Sequence, residues 1–300
     1  MTVQIPETES RSQVGLDHVG LYASSLDLIA ASYARLGFRL TPLSQHSGTH
    51  AVTKEVVKSG IANRCAMLRH GYIELLGVVD PTLDLRGIPD GLSRYAGMHI
   101  LAFATDTPQT VIGALHERGF SAAPGVLQRY IDTPGGPALA RFSQVRIPRE
   151  EMPEGLVLTL RHETPELLWQ EPCLAHPNGA LALVEAAVVV DDLDAVAERY
   201  ARYLGCAPCR TQHQARFALR FGSLLVLDRA GMRARFPGTS VPVLPFMAGF
   251  TVEVADIGRT AALLSLNRVP YRMDGAGLQV DAEQAGGAYL MFRQATPERT

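Results

Sequence analysis

The feature that most limits what this chain can fold into is an internal repeat. Ser25-Leu-Asp-Leu-Ile-Ala-Ala-Ser-Tyr-Ala-Arg-Leu-Gly37 returns, one residue longer, as Asp192-Leu-Asp-Ala-Val-Ala-Glu-Arg-Tyr-Ala-Arg-Tyr-Leu-Gly205. A phrase that recurs far along a chain marks a repeated structural unit. The first copy follows a short apolar strand, Gly15-Leu-Asp-His-Val-Gly-Leu-Tyr22. Leu28, Ile29 and Leu36 then share one helical face, and Gly37 suits the C-cap. Two further strand-then-helix openings occur, at Gly97–Ala104 before Asp106-Thr107-Pro108 and at Met247–Val254 before Ile257–Leu266. The pattern predicts an α+β fold of four βαβββ modules that pair into two domains.

The remaining segments are assigned by alternation and turn residues. In the first module, 38–43 reads as a strand, 46–58 as an extended loop, and 61–68 and 72–79 as strands joined at His70-Gly71. In the second, strands are expected at 126–132, 138–145 and 155–160. In the third they are expected at 217–220 and 223–227, and in the fourth at 278–280 and 288–292. The Arg-rich run 229–235 reads as a solvated loop. Domain limits follow: an N-terminal arm over 1–14, a first domain over 15–162, a linker over 163–180 and a second domain over 181–294.

Hydrophobic residues make up 47% of the 300-residue chain, enough for packed cores. A net charge of −2 gives no footprint for nucleic acid or an anionic membrane. No apolar run reaches the length of a transmembrane helix, and the N-terminal stretch lacks the pattern of a secretion signal. Four cysteines are too few for a disulfide scaffold. Cys206-Ala-Pro-Cys209 follows a helix, whereas the redox motif precedes one, so it reads as structural. The expectation is a cytoplasmic protein with a small-molecule partner and no nucleic-acid or membrane partner; homodimerisation stays open.

Superposing the modules on their helix starts places His18, His99, Glu185 and Gly249 at one strand position, each seven residues before Ser25, Asp106, Asp192 and Asp256. Glu74 lies in the closing strand of the first module, and Thr159 is its counterpart in the second. Paired modules with a histidine in an Asp-His-Val strand and a glutamate in Tyr-Ile-Glu-Leu resemble the vicinal oxygen chelate superfamily. Asn63-Arg-Cys-Ala-Met-Leu, Gly71-Tyr-Ile-Glu-Leu-Leu, and His162-Glu-Thr-Pro-Glu-Leu-Leu-Trp169 through His176-Pro-Asn-Gly resemble phrases of its glyoxalase-like domain family. The resemblance covers 15–180 best.

That resemblance implies one divalent metal ion (Zn, Fe, Mn or Ni) held by His18, Glu74 and His99 in a cleft. It implies a metal-dependent lyase, isomerase or dioxygenase acting on a small oxygen-chelating substrate. Thr159 departs from the family's second carboxylate. Two imidazoles and a carboxylate leave open positions on such a metal for substrate. His162 is the first candidate general base, with Glu74 as the other catalytic group; Glu163 and His50 are weaker bases. Arg64 is placed to hold an anionic group, Tyr72 and Trp169 to wall the site, His50 to contact substrate and His176 to close over the cleft. The alternative is a metal-free binding or sequestering protein of the resistance-protein type. A structural alternative also stands for Glu74: a buried carboxylate needs a cation, and Arg64 on the neighbouring strand is a candidate.

Overall fold

The computed structural model describes residues 11–49 and 56–296. Each module contributes four strands and a helix. The first holds β1 (Gly15–Ala23), α1 (Leu26–Arg35), β2 (Ser44–Thr49), β3 (Val56–Met67) and β4 (Tyr72–Val78). A short helix, α2 (Ile88–Arg94), lies in the connector. The second module holds β5 (Gly97–Ala104), α3 (Pro108–Glu117), β6 (Ala123–Thr133), β7 (Gly136–Arg146) and β8 (Leu156–His162). Two single-turn helices, α4 (Pro165–Leu168) and α5 (Glu171–Leu174), lead to the third. That module comprises β9 (Ala180–Val189), α6 (Leu193–Leu204), β10 (Cys209–Thr211), β11 (Gln214–Ala218) and β12 (Ser223–Leu227), and α7 (Arg229–Arg235) follows it. The fourth comprises β13 (Phe246–Val254), α8 (Ile257–Leu266), β14 (Arg272–Asp274), β15 (Gly277–Val280) and β16 (Tyr289–Gln294).

The modules pair into two eight-stranded mixed sheets, ordered β2-β3-β4-β1-β5-β8-β7-β6 and β10-β11-β12-β9-β13-β16-β15-β14. In each, the two opening strands run antiparallel at the centre and each closing strand lies parallel to its own opening strand. The first sheet curls until its edges meet, where Ser44 Oγ donates to the Tyr130 carbonyl at 3.5 Å. The outer faces of both sheets and helices α1, α3, α6 and α8 share one continuous apolar core. Tyr33, Leu101, Tyr200 and Phe292 are fully enclosed there. Burial of this kind is the main favourable term holding the sheets together.

Three helices start as the repeat predicts. The side chains of Ser25, Asp192 and Asp256 accept from the backbone N–H three residues on, which satisfies an otherwise orphaned donor. The second-module helix departs. Its N-cap is Thr107, followed by Pro108 in the first turn, not Asp106. The repeat is therefore displaced by one residue there.

Strand pairing fixes the corrected register. His18 pairs with Tyr72, Ile100 with Leu156, Glu185 with Ser223, and Gly249 with Tyr289. The equivalents of His18 and Glu74 in the second module are thus Ile100 and Leu158, not His99 and Thr159. A one-residue slip turns a strand side chain to the other face. Accordingly, Thr159 bonds Tyr203 on the outer side at 2.9 Å.

Other segments also differ from the sequence expectation. Residues 38–43 form no strand, because they meet their neighbour only near Thr41, whose N–H donates to the Cys65 carbonyl. Strands β2, β10 and β14 are additional, and each is an edge strand with little apolar signal. Residues 229–235 form helix α7 instead of a loop. Met232 and Phe236 drive it into the inner face of the second sheet, against Leu225, Leu227 and Met291. That concave face is filled by its own chain. Glu185 there is held by Arg235 at 3.0 Å and Arg216 at 3.7 Å.

Candidate functional site

The first sheet keeps its concave face open. A cavity of about 210 Å³ lies on it, walled by apolar side chains that include Ile61, Leu76, Leu127 and Phe142. Its polar groups come from six places: His18 on β1, Glu74 on β4, His46 on β2, Arg129 on β6, Gln144 on β7, and Arg86 before α2. Tyr72 lines it too and stacks on the His18 ring, centroids 4.3 Å apart.

Glu74 is the centre of charge. One carboxylate oxygen accepts from the Asn63 amide at 2.5 Å and lies 3.7 Å from Arg129 Nη1. The other lies 3.9 Å from His18 Nε2. Burial alone would raise the Glu74 carboxyl, but His18, Arg129, His46 and the Asn63 amide outweigh it and hold it below its ordinary value. The group is therefore an ionised carboxylate in a nearly closed site.

Behind it runs a second chain of contacts. His18 Nδ1 meets the Asp17 carboxylate at 2.6 Å, and the same carboxylate meets His162 Nε2 at 3.0 Å. Asp17 reaches inward because β1 is irregular between Leu16 and His18. Burial would raise its carboxyl; the two imidazoles hold it well below the ordinary carboxylate range. The Asp17 contact fixes the His18 ring and leaves Nε2 turned to the cavity.

Several expected site residues lie elsewhere. His99 is withdrawn: its ring is sandwiched between Tyr22 and Tyr95, at 4.8 and 4.2 Å, and its Nε2 donates to the Tyr95 carbonyl at 2.9 Å. Burial pushes its pKa down to about 4, so it packs there as a neutral ring. Arg64 sits on the alternate face of β3 from Asn63 and Cys65, and its guanidinium reaches the Thr41 carbonyl at 3.4 Å. It neither pairs with Glu74 nor enters the cavity. His176 is a structural staple, accepting from the Arg39 N–H and donating to the Met67 carbonyl.

His162 and Trp169 line a separate, open pocket on the far side of Asp17. Trp169 Nε1 donates to the Leu68 carbonyl and its ring stands edge-on to Tyr72 and His162. His162 does not line the inner cavity; it lies behind it, against Asp17 and edge-on to Tyr72 and Phe142. Glu163 is engaged by the Ser143 hydroxyl at 2.7 Å. His50 lies outside the described residues.

Arg129 is the chief cleft residue absent from the sequence reading, which also gave no site role to Asp17, His46, Asn63 and Arg86. It sits on β6 between Leu127 and Ile131, all three on the cleft side, while Val126 and Tyr130 face out. The exposed apolar residues conceal the alternation that would have revealed it.

The expected metal ion does not fit these residues. A divalent site needs converging donors, and here the second module supplies Ile100 and Leu158 at the two matching positions. Glu74 is already neutralised by a guanidinium 3.7 Å away, which repels a further cation. Among the described residues, no group of three His, Cys, Asp or Glu side chains is set to hold a metal.

Comparison with known proteins agrees with the architecture. A family model described as a glyoxalase-like domain matches residues 16–204. No curated protein matches the chain. Among solved structures, a hypothetical protein from Staphylococcus aureus is similar at 13% identity and a TM-score of 0.62, covering 94% of this chain and all of that one. A mutant 4-hydroxymandelate synthase from Streptomyces coelicolor is similar at 14% identity and 0.56, covering 96% and 94%. A xylose isomerase-like TIM barrel/4-hydroxyphenylpyruvate dioxygenase fusion protein aligns at 12% identity and 0.57; this chain is covered over 99% of its length but spans only 51% of the fusion. These likenesses are of fold. With strand order, module pairing and a family match over more than half its length, the chain belongs to the glyoxalase-like domain family of the vicinal oxygen chelate fold.

Proposed function

We propose that the protein binds a small organic molecule in the concave face of its first sheet, and does so without a metal ion. The observation that carries this reading is the Glu74–Arg129 pair at the base of an apolar-walled cavity. A guanidinium supplies the positive charge that a buried carboxylate requires. Apolar walls with a few converging polar groups are the usual make-up of a small-molecule site. The second sheet acts as a scaffold, its own cleft filled by α7.

One observation favours an enzymatic form of the same reading. Asp17 fixes the His18 ring, and His18 Nε2 faces the cavity. An imidazole oriented by a carboxylate is the arrangement of a general base. His18 would accept a proton from a ligand atom held against it, with Asp17 stabilising the resulting imidazolium.

The test is ligand screening by thermal shift and calorimetry on full-length protein, with and without chelator. Binding that survives chelator and is lost in Leu158→Trp, which fills the cleft, supports the proposal. Binding that appears only on adding a divalent metal would overturn it.

A further inference from the structure

The cleft's polar groups are not balanced. Arg129 and Arg86 bring two guanidiniums to the cavity and Glu74 brings one carboxylate. Asp84, 4.0 Å from Arg86, has a side chain 76% exposed and compensates little. The Arg129 side chain is 10% exposed. Its Nε is buried and meets no hydrogen-bond partner among the described residues. The His46 Nε2, on the edge strand β2 that meets β6, also has no partner among the described residues. Buried polar atoms without partners are rare in folded proteins, and the Arg129 Nε–H marks the place of a missing acceptor.

On the reading that this cleft is a small-molecule site, we infer that its ligand is a singly charged carboxylic acid with a compact apolar body. The carboxylate would accept from the Arg129 guanidinium and from Arg86, and the body would lie against Ile61, Leu76 and Phe142. A guanidinium edge matches a carboxylate in planar, two-point geometry. The charge count also selects. One excess positive charge is neutralised by a monoanion, whereas a dianion would leave a negative charge facing Glu74 and a neutral ligand would leave Arg86, whose side chain is 34% exposed, to solvent alone.

The inference is tested at pH 7.5 with matched probes on the full chain in chelator: hexanoate and cyclohexanecarboxylate against hexanamide and cyclohexanecarboxamide. Each acid is expected to bind at least about tenfold more tightly than its amide, the difference expected of a charge-assisted bond. Arg86→Gln should weaken hexanoate by a similar factor while leaving hexanamide unchanged. Because removing Arg129 alone would strand Glu74, the second variant is the paired Arg129→Gln/Glu74→Gln, expected to act in the same way. Equal affinity for acid and amide, or variants that weaken both alike, would overturn the inference and leave the small-molecule site standing. Failure of all four probes to bind would remove that site reading along with it.

Discussion

Arg129 Nη1 lies 3.7 Å from Glu74 Oε1, with both side chains nine-tenths buried, and this pair occupies the floor of the only concave sheet face left open by its own chain among the described residues. It explains how a carboxylate persists on an apolar strand. Removing one partner of such a pair leaves an uncompensated buried charge, whereas removing both does not. Arg129→Met should therefore cost about 3–5 kcal/mol of unfolding free energy. Arg129→Met with Glu74→Gln should recover much of it. Urea unfolding of wild type, both single variants and the double variant measures the coupling.

The buried histidines give a pH dependence of definite sign. His99 and His46 are each held down to about 4 by burial, against 6.5 in the unfolded chain. Between those values the unfolded chain takes up protons that the folded protein refuses. Stability thus falls as the pH drops from about 6.5 towards 4, by up to about 1.4 kcal/mol per pH unit for each histidine. His99→Phe keeps a ring between Tyr22 and Tyr95 and should flatten part of that slope. Melting temperatures between pH 4 and 7 in the two proteins provide the comparison.

Asp17 ties two imidazoles together, at 2.6 Å and 3.0 Å. Asp17→Asn removes a charge that both rings contact and should destabilise by about 1.5–3 kcal/mol near neutral pH. The Asp17 carboxyl is depressed in the fold, so its contribution is present above its unfolded value of 3.8 and is lost as the pH falls through the still lower folded value. The gap between wild type and Asp17→Asn should accordingly narrow in strong acid. An unchanged gap down to pH 2 would mean that the Asp17 charge is not the source.

Gly77 lies where β4 passes under the start of α1. A Cβ there would come within 2.4 Å of the Leu26 backbone nitrogen. Backbone cannot yield as a side chain does, so Gly77→Ala should destabilise by about 1–3 kcal/mol through overpacking. Gly113→Ala, on α3 with no atom within 4 Å of the added carbon, should be neutral or slightly stabilising. Paired denaturation curves separate the two.

The sequence carried the fold well because the signals were periodic and repeated. Helix caps at Ser25, Asp192 and Asp256, and apolar opening strands, sufficed to count the modules. The site was less legible for local reasons. Asp106 and Thr107 are both good caps, and choosing the wrong one shifted the second module by one residue, which exchanged Ile100 for His99. Arg129 comes from an edge strand whose outward face carries Val126 and Tyr130, so its inward direction has no compositional mark. Helix α7 reads as charged because Arg229, Arg233 and Arg235 stand among small residues, yet Met232 within it is a fully enclosed anchor. Long-range pairing decided each of these, and a linear pattern does not encode it.

The central claim is that Arg129, and not a metal ion, answers the Glu74 charge. It is tested most directly by measuring divalent metal binding to the full-length protein by competition with a chromophoric chelator, for wild type, His18→Ala and Glu74→Gln. The account predicts the same metal affinity and content in all three, with ligand binding retained in chelator. One equivalent of tightly held metal in the wild type, lost in both variants, would contradict it.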